Sequence, residues 1–259
     1  MSIAPVVIKI GGAGLNDSAL LERLLLAVKA IKKERSCVLV HGGGSLIDNW
    51  LTTWSRPVLK EHGMRITLDE DMPLIAGALS GAINSQLAAA ANQAGLRAVG
   101  SSLLDANWCA LTQDHTRGAV GIPVPENSNP DYLQLLLNNG LTPVISSIGQ
   151  GDQGQLLNVN ADLAAATVAA VLKADLLLLT DVPAIMTADG ESLHTINSEL
   201  AAQLIADNTV HGGMRVKLEA ALQAARLSRR TTAVAGWDQP EQLAAVLQGL
   251  SYGTRILVS

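Results

Sequence analysis

The sequence predicts an α/β fold: a three-layer αβα sandwich with an open, mainly parallel central sheet. Short aliphatic runs alternate with longer stretches whose leucines and alanines recur at helical spacing. The runs are continuous, as strands buried on both faces require. With 259 residues, 48% of them hydrophobic, the chain can fill one large domain or two lobes sharing a sheet.

The first run, Val6-Val7-Ile8-Lys9-Ile10, closes on Gly11-Gly12. Lys9 is anomalous there, because a lysine in a buried strand costs desolvation unless it meets an anion. The glycines let the backbone turn and approach a ligand, and ligands of open α/β sheets sit beyond the carboxyl ends of the strands. A phosphate site and a lysine snorkelling from a strand end both fit this stretch. Asn16 to Ser18 offer caps for a helix over about 20–33. Cys37–Val40 is the next strand and runs into His41-Gly42-Gly43-Gly44, with Ser45 as a cap for a helix over 46–53. Strand, glycine loop and helix start in succession leave N–H groups facing an anion. A right-handed crossover brings loops 11–12 and 42–44 to the same sheet edge.

Residues 55–67, with Lys60, His62 and Arg65, read as a hairpin or flap over that edge. An alanine-rich helix then runs to about Ala94 and stops at Gly95. Thr67-x-x-Glu70 resembles a capping box for it, whereas Pro73 would kink a helix begun there. A strand at 97–100 and small β elements over 105–122 follow. Ser128 or Asn129 caps a helix with Pro130 in its first turn and Gly140 at its end. Residues 143–147 form a core strand. Gly149-Gln-Gly151-Asp-Gln-Gly154 matches G-x-G-x-x-G, but no helix opens at its last glycine, so it reads as a hairpin turn. The same turn-rich stretch separates an N-lobe, about 1–150, from a C-lobe, about 151–259.

Asn158-Val159-Asn160-Ala161-Asp162 crowds three polar side chains before a helix over 163–173, where capping needs one. The excess marks a polar site. Leu176–Leu179 is a doubly buried strand that ends in Thr180-Asp181-Val182-Pro183, and a helix covers 198–207. Gly212-Gly213 precedes a helix from Met214 to about Leu227. Lys217 falls in or beside its first turn, where the macrodipole disfavours a cation, so a bound anion explains it better than helix stability. Thr232–Ala235 is a strand, Asp238-x-Pro240-Glu241 starts a capped helix ending near Gly249, and Ile256–Val258 closes the sheet.

Composition removes several classes of function. Aromatic residues are 2% of the chain, too few for stacking platforms that bind single-stranded nucleic acid. A net charge of −5 without a long basic run argues against duplex nucleic acid and membrane surfaces. No run reaches the ~18 apolar residues of a membrane span, and the N-terminus lacks a signal-peptide pattern, so a cytoplasmic protein is expected. Cys37 and Cys109 fit no metal or redox spacing, and the histidines are scattered. There is no P-loop motif and no G-x-S-x-G. What remains is Lys9 and Lys217, each beside a glycine pair, and Asp162 at a helix start. Phosphoryl transfer needs such parts, because it is mostly positioning and electrostatic stabilisation.

Together, Lys9-Ile10-Gly11-Gly12, His41-Gly42-Gly43-Gly44, Gly63-Met64-Arg65-Ile66-Thr67, Asn158–Asp162, Thr180-Asp181-Val182 and Gly212-Gly213-Met214-x-x-Lys217 resemble the amino acid kinase family, and within it the acetylglutamate kinases, along the whole chain. The resemblance implies a single carbamate kinase-like domain over 1–259, with acyl-amino-acid binding and dimerisation in the N-lobe and ATP in the C-lobe. It implies that ATP phosphorylates the γ-carboxylate of N-acetyl-L-glutamate, giving the acyl phosphate of the arginine pathway. By motif, Lys9 and Lys217 would stabilise the transition state and Asp162 would organise both. Gly11, Gly12, Gly43 and Gly44 would offer N–H groups to phosphate and substrate. Arg65 would pair with the α-carboxylate, a task suited to a planar bidentate donor, and Asn158 and Asn160 would hold the substrate. Asp181, Val182, Pro183, Ala184, Ile185, Met186, Thr209, Val210 and His211 would line the ATP site. Mg²⁺ would be held chiefly by the nucleotide phosphates and water, with no metal site of the protein's own. The acceptor carboxylate is already ionised at neutral pH, so no general base is required.

Two departures mark the chain. The family usually has glycine where Ala184 stands, and Pro183 stiffens that loop. The family's arginine-inhibited hexamers carry an extra N-terminal helix, whereas eight residues precede Lys9 here, so an arginine-insensitive homodimer is expected. The rival readings are a sibling kinase acting on aspartate, glutamate, carbamate, a uridine nucleotide or a carrier-bound aminoadipate, a non-catalytic nucleotide-binding regulator, and an oxidoreductase built on residues 42–47. The flap and Asn158–Asp162 favour acetylglutamate. Intact Lys9, Lys217 and Asp162 disfavour the regulator, and Ile47 in place of a third glycine disfavours the oxidoreductase.

Overall fold

The computed structural model describes residues 3–11, 13–15, 17–248 and 252–257. In chain order its elements are β1 (Val6–Ile10), α1 (Ser18–Lys32), β2 (Cys37–His41), α2 (Gly44–Thr53), β3 (Lys60–Glu61), β4 (Met64–Arg65), α3 (Asp69–Gln93), β5 (Ala98–Ser102), β6 (Leu111–Gln113), β7 (Val120–Pro123), α4 (Asp131–Asn138), β8 (Thr142–Ser146), β9 (Ile148–Gln150), β10 (Leu156–Val159), α5 (Ala161–Leu172), β11 (Asp175–Thr180), β12 (Ile185–Met186), β13 (Ser192–Leu193), β14 (Thr195–Ile196), α6 (Ser198–Ala206), α7 (Gly212–Ser228), β15 (Thr232–Gly236), α8 (Leu243–Gln248) and β16 (Thr254–Ile256).

The main sheet has eight strands in the order β14-β16-β15-β11-β1-β2-β8-β5. Every neighbouring pair in it is parallel except β15 with β16. Side chains alternate across each strand, which makes the three layers. Val7, Val38, Val40, Leu176 and Leu178 build one core with α2, α4, α5, α6 and α7. Val6, Ile8, Ile10, Leu39, Leu177 and Leu179 build the other with α1 and α8. Lys9 shares the face of Val7, so β1 aims it at the α5 layer. A second sheet, β6-β7-β10-β9, stands beside the first. Its β9–β10 hairpin contains the G-x-G-x-x-G stretch, with Gly154 at φ +81°, as the turn reading required.

Several boundaries differ from the sequence reading. Helix α1 starts at Ser18, earlier than 20, and is capped from within the expected Asn16–Ser18 by Asp17, whose Oδ1 accepts from Leu20 N at 2.9 Å. The capping box at Thr67 does not form. Thr67 Oγ1 accepts instead from Asn158 Nδ2 at 3.0 Å, and Glu70 pairs with Arg56. Helix α3 begins with a 3-10 turn over Asp69–Asp71, which puts Pro73 near the start, where its missing N–H costs nothing. A π-helical segment, Gly77–Ile83, follows. Among the described residues, α3 is also long and apolar enough on average to cross a membrane, although Ser80, Asn84, Ser85 and Gln86 interrupt it, so it holds no continuous apolar run. Its Ile75, Leu79, Ile83 and Leu87 pack into the two cores. Strand β16 does not close the sheet but lies between β15 and the two-residue edge strand β14, which is too short to leave a pattern. Asn16, Gly249 and Val258 fall outside the described residues.

Candidate active site

Asn160 caps α5, its Oδ1 accepting from Asp162 N at 2.8 Å and Leu163 N at 3.2 Å. This cap fixes Asp162 in the first turn, facing β1. Helix α7 starts at Gly212, not Met214, so Lys217 is its sixth residue and lies in the second turn, packed along α5. Lys9 Nζ and Lys217 Nζ each lie 3.0 Å from Asp162 Oδ1. All three residues are buried, at 8%, 7% and 8% exposure. Lys9 therefore does not snorkel. Lys217 also has a protein partner, which replaces the argument from the macrodipole.

Burial by itself pushes the Asp162 carboxyl up, but the ammonium groups of Lys9 and Lys217 outweigh it and hold the pKa at about 2. Burial lowers the pKa of Lys217, the Asp162 carboxylate raises it, and the nearby Lys9 lowers it further, for a net depression. Two ammonium groups on one carboxylate leave one uncompensated positive charge in a dry site. Such a charge attracts an anion strongly.

The glycine loop stands across from this cluster. Gly43 occupies the cap position of α2, and a methyl on it would lie 2.5 Å from Ile47 Cγ1. A methyl on Gly42 would lie 3.0 Å from Ala161 Cβ, so the N-termini of α2 and α5 converge on one space. Beneath the loop, His41 is fully buried. Its Nδ1–H donates to the Gly42 carbonyl at 3.1 Å, and its Nε2 accepts from Asn84 Nδ2 at 2.9 Å. Burial drives its pKa down to about 4, against the smaller upward pull of the Gly42 bond, so the ring is neutral. A methyl on Gly11 would lie 3.9 Å from Lys9 Nζ, in the space before the ammonium. Gly12 lies outside the described residues.

Strands β3 and β4 form the expected hairpin, turned by His62 and Gly63 at φ +49° and +82°. Its tip reaches the start of α7: a methyl on Gly63 would lie 2.7 Å from Gly213 N. Arg65 Nη2 donates to Asp48 on α2, and Lys60 Nζ reaches Asp48 Oδ2 at 2.7 Å. Arg65 Nη1 is buried without a partner among the described residues. A buried unpaired donor is costly, so this atom marks a place for a ligand oxygen.

A cavity of about 250 Å³ gathers Lys9, Gly43, Gly44, Arg65, Asn158, Asn160 and Asp162. Lys217 and the segments 181–186 and 209–211 are not among its walls. Asp181 follows β11 at the carboxyl edge of the sheet and accepts from Trp237 Nε1 at 2.7 Å. Val182 and Pro183 follow it, and the Pro183 carbonyl accepts from Gly236 N at 3.3 Å. Ala184, Ile185 and Val210 are buried, Met186 pairs with Ser192, Thr209 N donates to Asp207 Oδ1, and His211 precedes α7. The side chains of Ala184, Ile185 and Val210 thus pack inward, leaving backbone as what they offer a ligand. Sequence reasoning missed Asp48, His41 as a support of the loop, and Asn84. The first is an acidic residue on a half-exposed helix, and the other two meet only through the tertiary fold.

No cluster of three or more metal-ligating side chains occurs among the described residues. Fold and site together define an α/β phosphotransferase. The chain belongs to the amino acid kinase family, whose sequence profile matches residues 4–236. It is 46% identical over 257 residues to an acetylglutamate kinase of Colwellia psychrerythraea, covering 98% of this chain and 97% of that one. It is 43% identical over 259 residues to an acetylglutamate kinase of Vibrio vulnificus, covering 99% and 98%. Among solved structures, smu.665 from Streptococcus mutans superposes with TM-score 0.81 at 28% identity, covering 97% and 98%. Carbamate kinase from Giardia lamblia bound to AMP-PNP superposes with TM-score 0.70 at 15% identity over 100% of both chains, a likeness of fold.

Proposed function

We propose that the chain phosphorylates the γ-carboxylate of N-acetyl-L-glutamate with ATP, a step of arginine biosynthesis. Its relatives carry that activity in their names. The observation that carries the chemistry is the single carboxylate oxygen shared by Lys9 and Lys217. In this reading the acceptor carboxylate attacks the γ-phosphorus in line while the bond to the leaving phosphate oxygen breaks. Lys9 and Lys217 stabilise the charge on the transferred group. Asp162 stays ionised and positions both ammonium groups. The N–H groups of Gly11, Gly12, Gly43 and Gly44 receive phosphate and substrate oxygens. The open Nη1 of Arg65 takes the α-carboxylate, and Asn158 and Asn160 border the acyl group. The neutral His41 takes no proton.

ATP would be held in the C-lobe by residues 181–186 and 209–211, and the acyl amino acid in the N-lobe. Mg²⁺ would ride on the nucleotide phosphates, neutralising charge there. We place the protein in the cytoplasm as a homodimer. The exposed face of α3 supports the dimer: Pro73, Gly77, Gly81, Ser85 and Ala89 recur every fourth residue, and methyls on Gly77 and Gly81 would meet nothing within 4 Å.

ADP release from Mg·ATP with N-acetyl-L-glutamate, L-glutamate, L-aspartate, carbamate and UMP tests the reading. Turnover with N-acetyl-L-glutamate alone is expected. Turnover with another acceptor would replace the substrate and keep the lysine chemistry. ATP binding without turnover would favour a regulator or a carrier-bound substrate.

A further inference from the structure

The opposite edge of the main sheet, where β11 and β15 begin, carries a second cleft unrelated to the first. It is open, has a volume of about 710 Å³, and is lined by Arg226, Arg229, Arg230 and Arg255 with Thr231 and Leu257. In a protein of net charge −5, four guanidinium groups around one cleft is a marked local excess. Part of it has an ordinary cause. Arg226 lies in the last turn of α7 and Arg229 caps it, where cations answer the macrodipole. Arg230 and Arg255 do not lie on that helix.

The partners of these groups are few. Arg226 Nη2 reaches Ser198 Oγ at 3.3 Å, a neutral hydroxyl. It also borders a neighbouring groove with Glu126 and Glu219, of which Glu219 is paired to Arg215. Arg230 Nε lies 3.3 Å from Asp175 Oδ1, but Asp175 is already held by Arg35 and by the Thr231 N–H. Arg229 has no side-chain partner among the described residues. Arg255 Nε is buried without a partner among the described residues, which is costly for a charged donor. Among the described residues, the one carboxylate ion-paired to a cleft arginine is therefore Asp175, which Arg230 shares with Arg35.

We propose that this cleft binds a small polyanion bearing phosphoryl or clustered carboxylate groups. The half-buried Arg255 forms the floor and the exposed Arg226, Arg229 and Arg230 form the rim. Planar guanidinium forks match such oxyanions by paired N–H···O bonds. The site lies at the amino ends of β11 and β15, whereas the candidate active site lies at the carboxyl end of β1, so the two ligands do not compete for space.

Titration calorimetry at low ionic strength with pyrophosphate, and separately with citrate, tests the proposal and distinguishes the two anion chemistries. Phenylglyoxal labelling read by mass spectrometry locates the site. The expected result is saturable binding of at least one anion, with Arg229, Arg230 and Arg255 protected from labelling. That protection persists in Lys9→Ala, which separates it from phosphate binding at the candidate active site. Arg229→Ser with Arg255→Gln weakens binding by roughly tenfold or more, as losing charge-assisted hydrogen bonds requires. Arg229→Ser alone, at an exposed position, weakens it severalfold without lowering the melting temperature. Unchanged affinity in both variants, protection confined to other arginines, or binding of neither anion would overturn the proposal. Capture of a polyglutamate peptide with no response to pyrophosphate or citrate would overturn it in favour of an acidic protein surface.

Discussion

Lys9 and Lys217 come from opposite ends of the chain and meet on one atom, Asp162 Oδ1, at 3.0 Å each. Lys9→Ala and Lys217→Ala are each expected to lower turnover by roughly 10²–10³, the usual loss on removing one preorganised charge donor. Steady-state rates with N-acetyl-L-glutamate check this. Near-normal turnover in either variant would remove that lysine from the chemistry.

Asp162→Asn leaves two buried ammonium groups without their counter-charge. It should destabilise the fold by about 3 kcal/mol or more, the range for breaking a buried ion pair from one side. In the native protein the carboxyl sits at about 2, below its ordinary value. Its stabilising contribution is therefore full above about pH 4 and is lost as the pH falls towards about 2. Urea unfolding of the two proteins at pH 7 gives the difference. A variant as stable as the parent would mean that the ion pair contributes nothing net.

His41 gives a second pH dependence, of the same sign but at higher pH. Its folded pKa is about 4, against about 6.5 when unfolded. Between those values the unfolded chain binds a proton that the folded one does not, so stability falls as the pH falls through this window. The full effect is about 3 kcal/mol at 1.36 kcal/mol per pKa unit. His41→Gln should flatten the slope of unfolding free energy between pH 7 and pH 5. An unchanged slope would assign it to other groups.

Arg65→Ala should raise KM for N-acetyl-L-glutamate more than it lowers kcat, because the proposed contact is to a carboxylate that does not react. Asp48→Asn releases one tether of both Arg65 and Lys60. It should raise KM less and speed tryptic cleavage after Lys60. Equal cleavage rates would show that Asp48 does not hold the hairpin.

Cys37 and Cys109 are buried, and burial pushes both thiols up to about 12. Iodoacetamide at pH 8 should leave both unmodified in the native protein and alkylate both in urea, which intact mass resolves. Rapid native labelling of either would contradict its placement in the core.

The sheet and the ammonium cluster were legible because they break or obey simple patterns. Lys9 interrupts an apolar run, and Asp162 exceeds what a helix cap needs. Gly212-Gly213 flags Lys217, although its register in α7 was displaced. Residue order did not reveal that Gly212, at φ +54°, already belongs to that helix. Contacts between distant surfaces left no local trace. Asp48 looks like any helix carboxylate until β3 and β4 fold onto it. Thr67 looks like a cap until Asn158, far along the chain, donates to its hydroxyl. The segment proposed for the nucleotide carries a motif, but the motif does not disclose the inward packing of Ala184, Ile185 and Val210.

The contact of Gly63 with Gly212 and Gly213 works like a valve seat. Two bare stretches of backbone close on each other because neither carries a side chain, and no ion pair or hydrogen bond crosses them among the described residues. Such a seal depends on shape alone and is easily broken. At this point the hairpin beside the candidate site meets α7 through backbone contact alone. A single methyl at Gly63 would prise the two backbones apart.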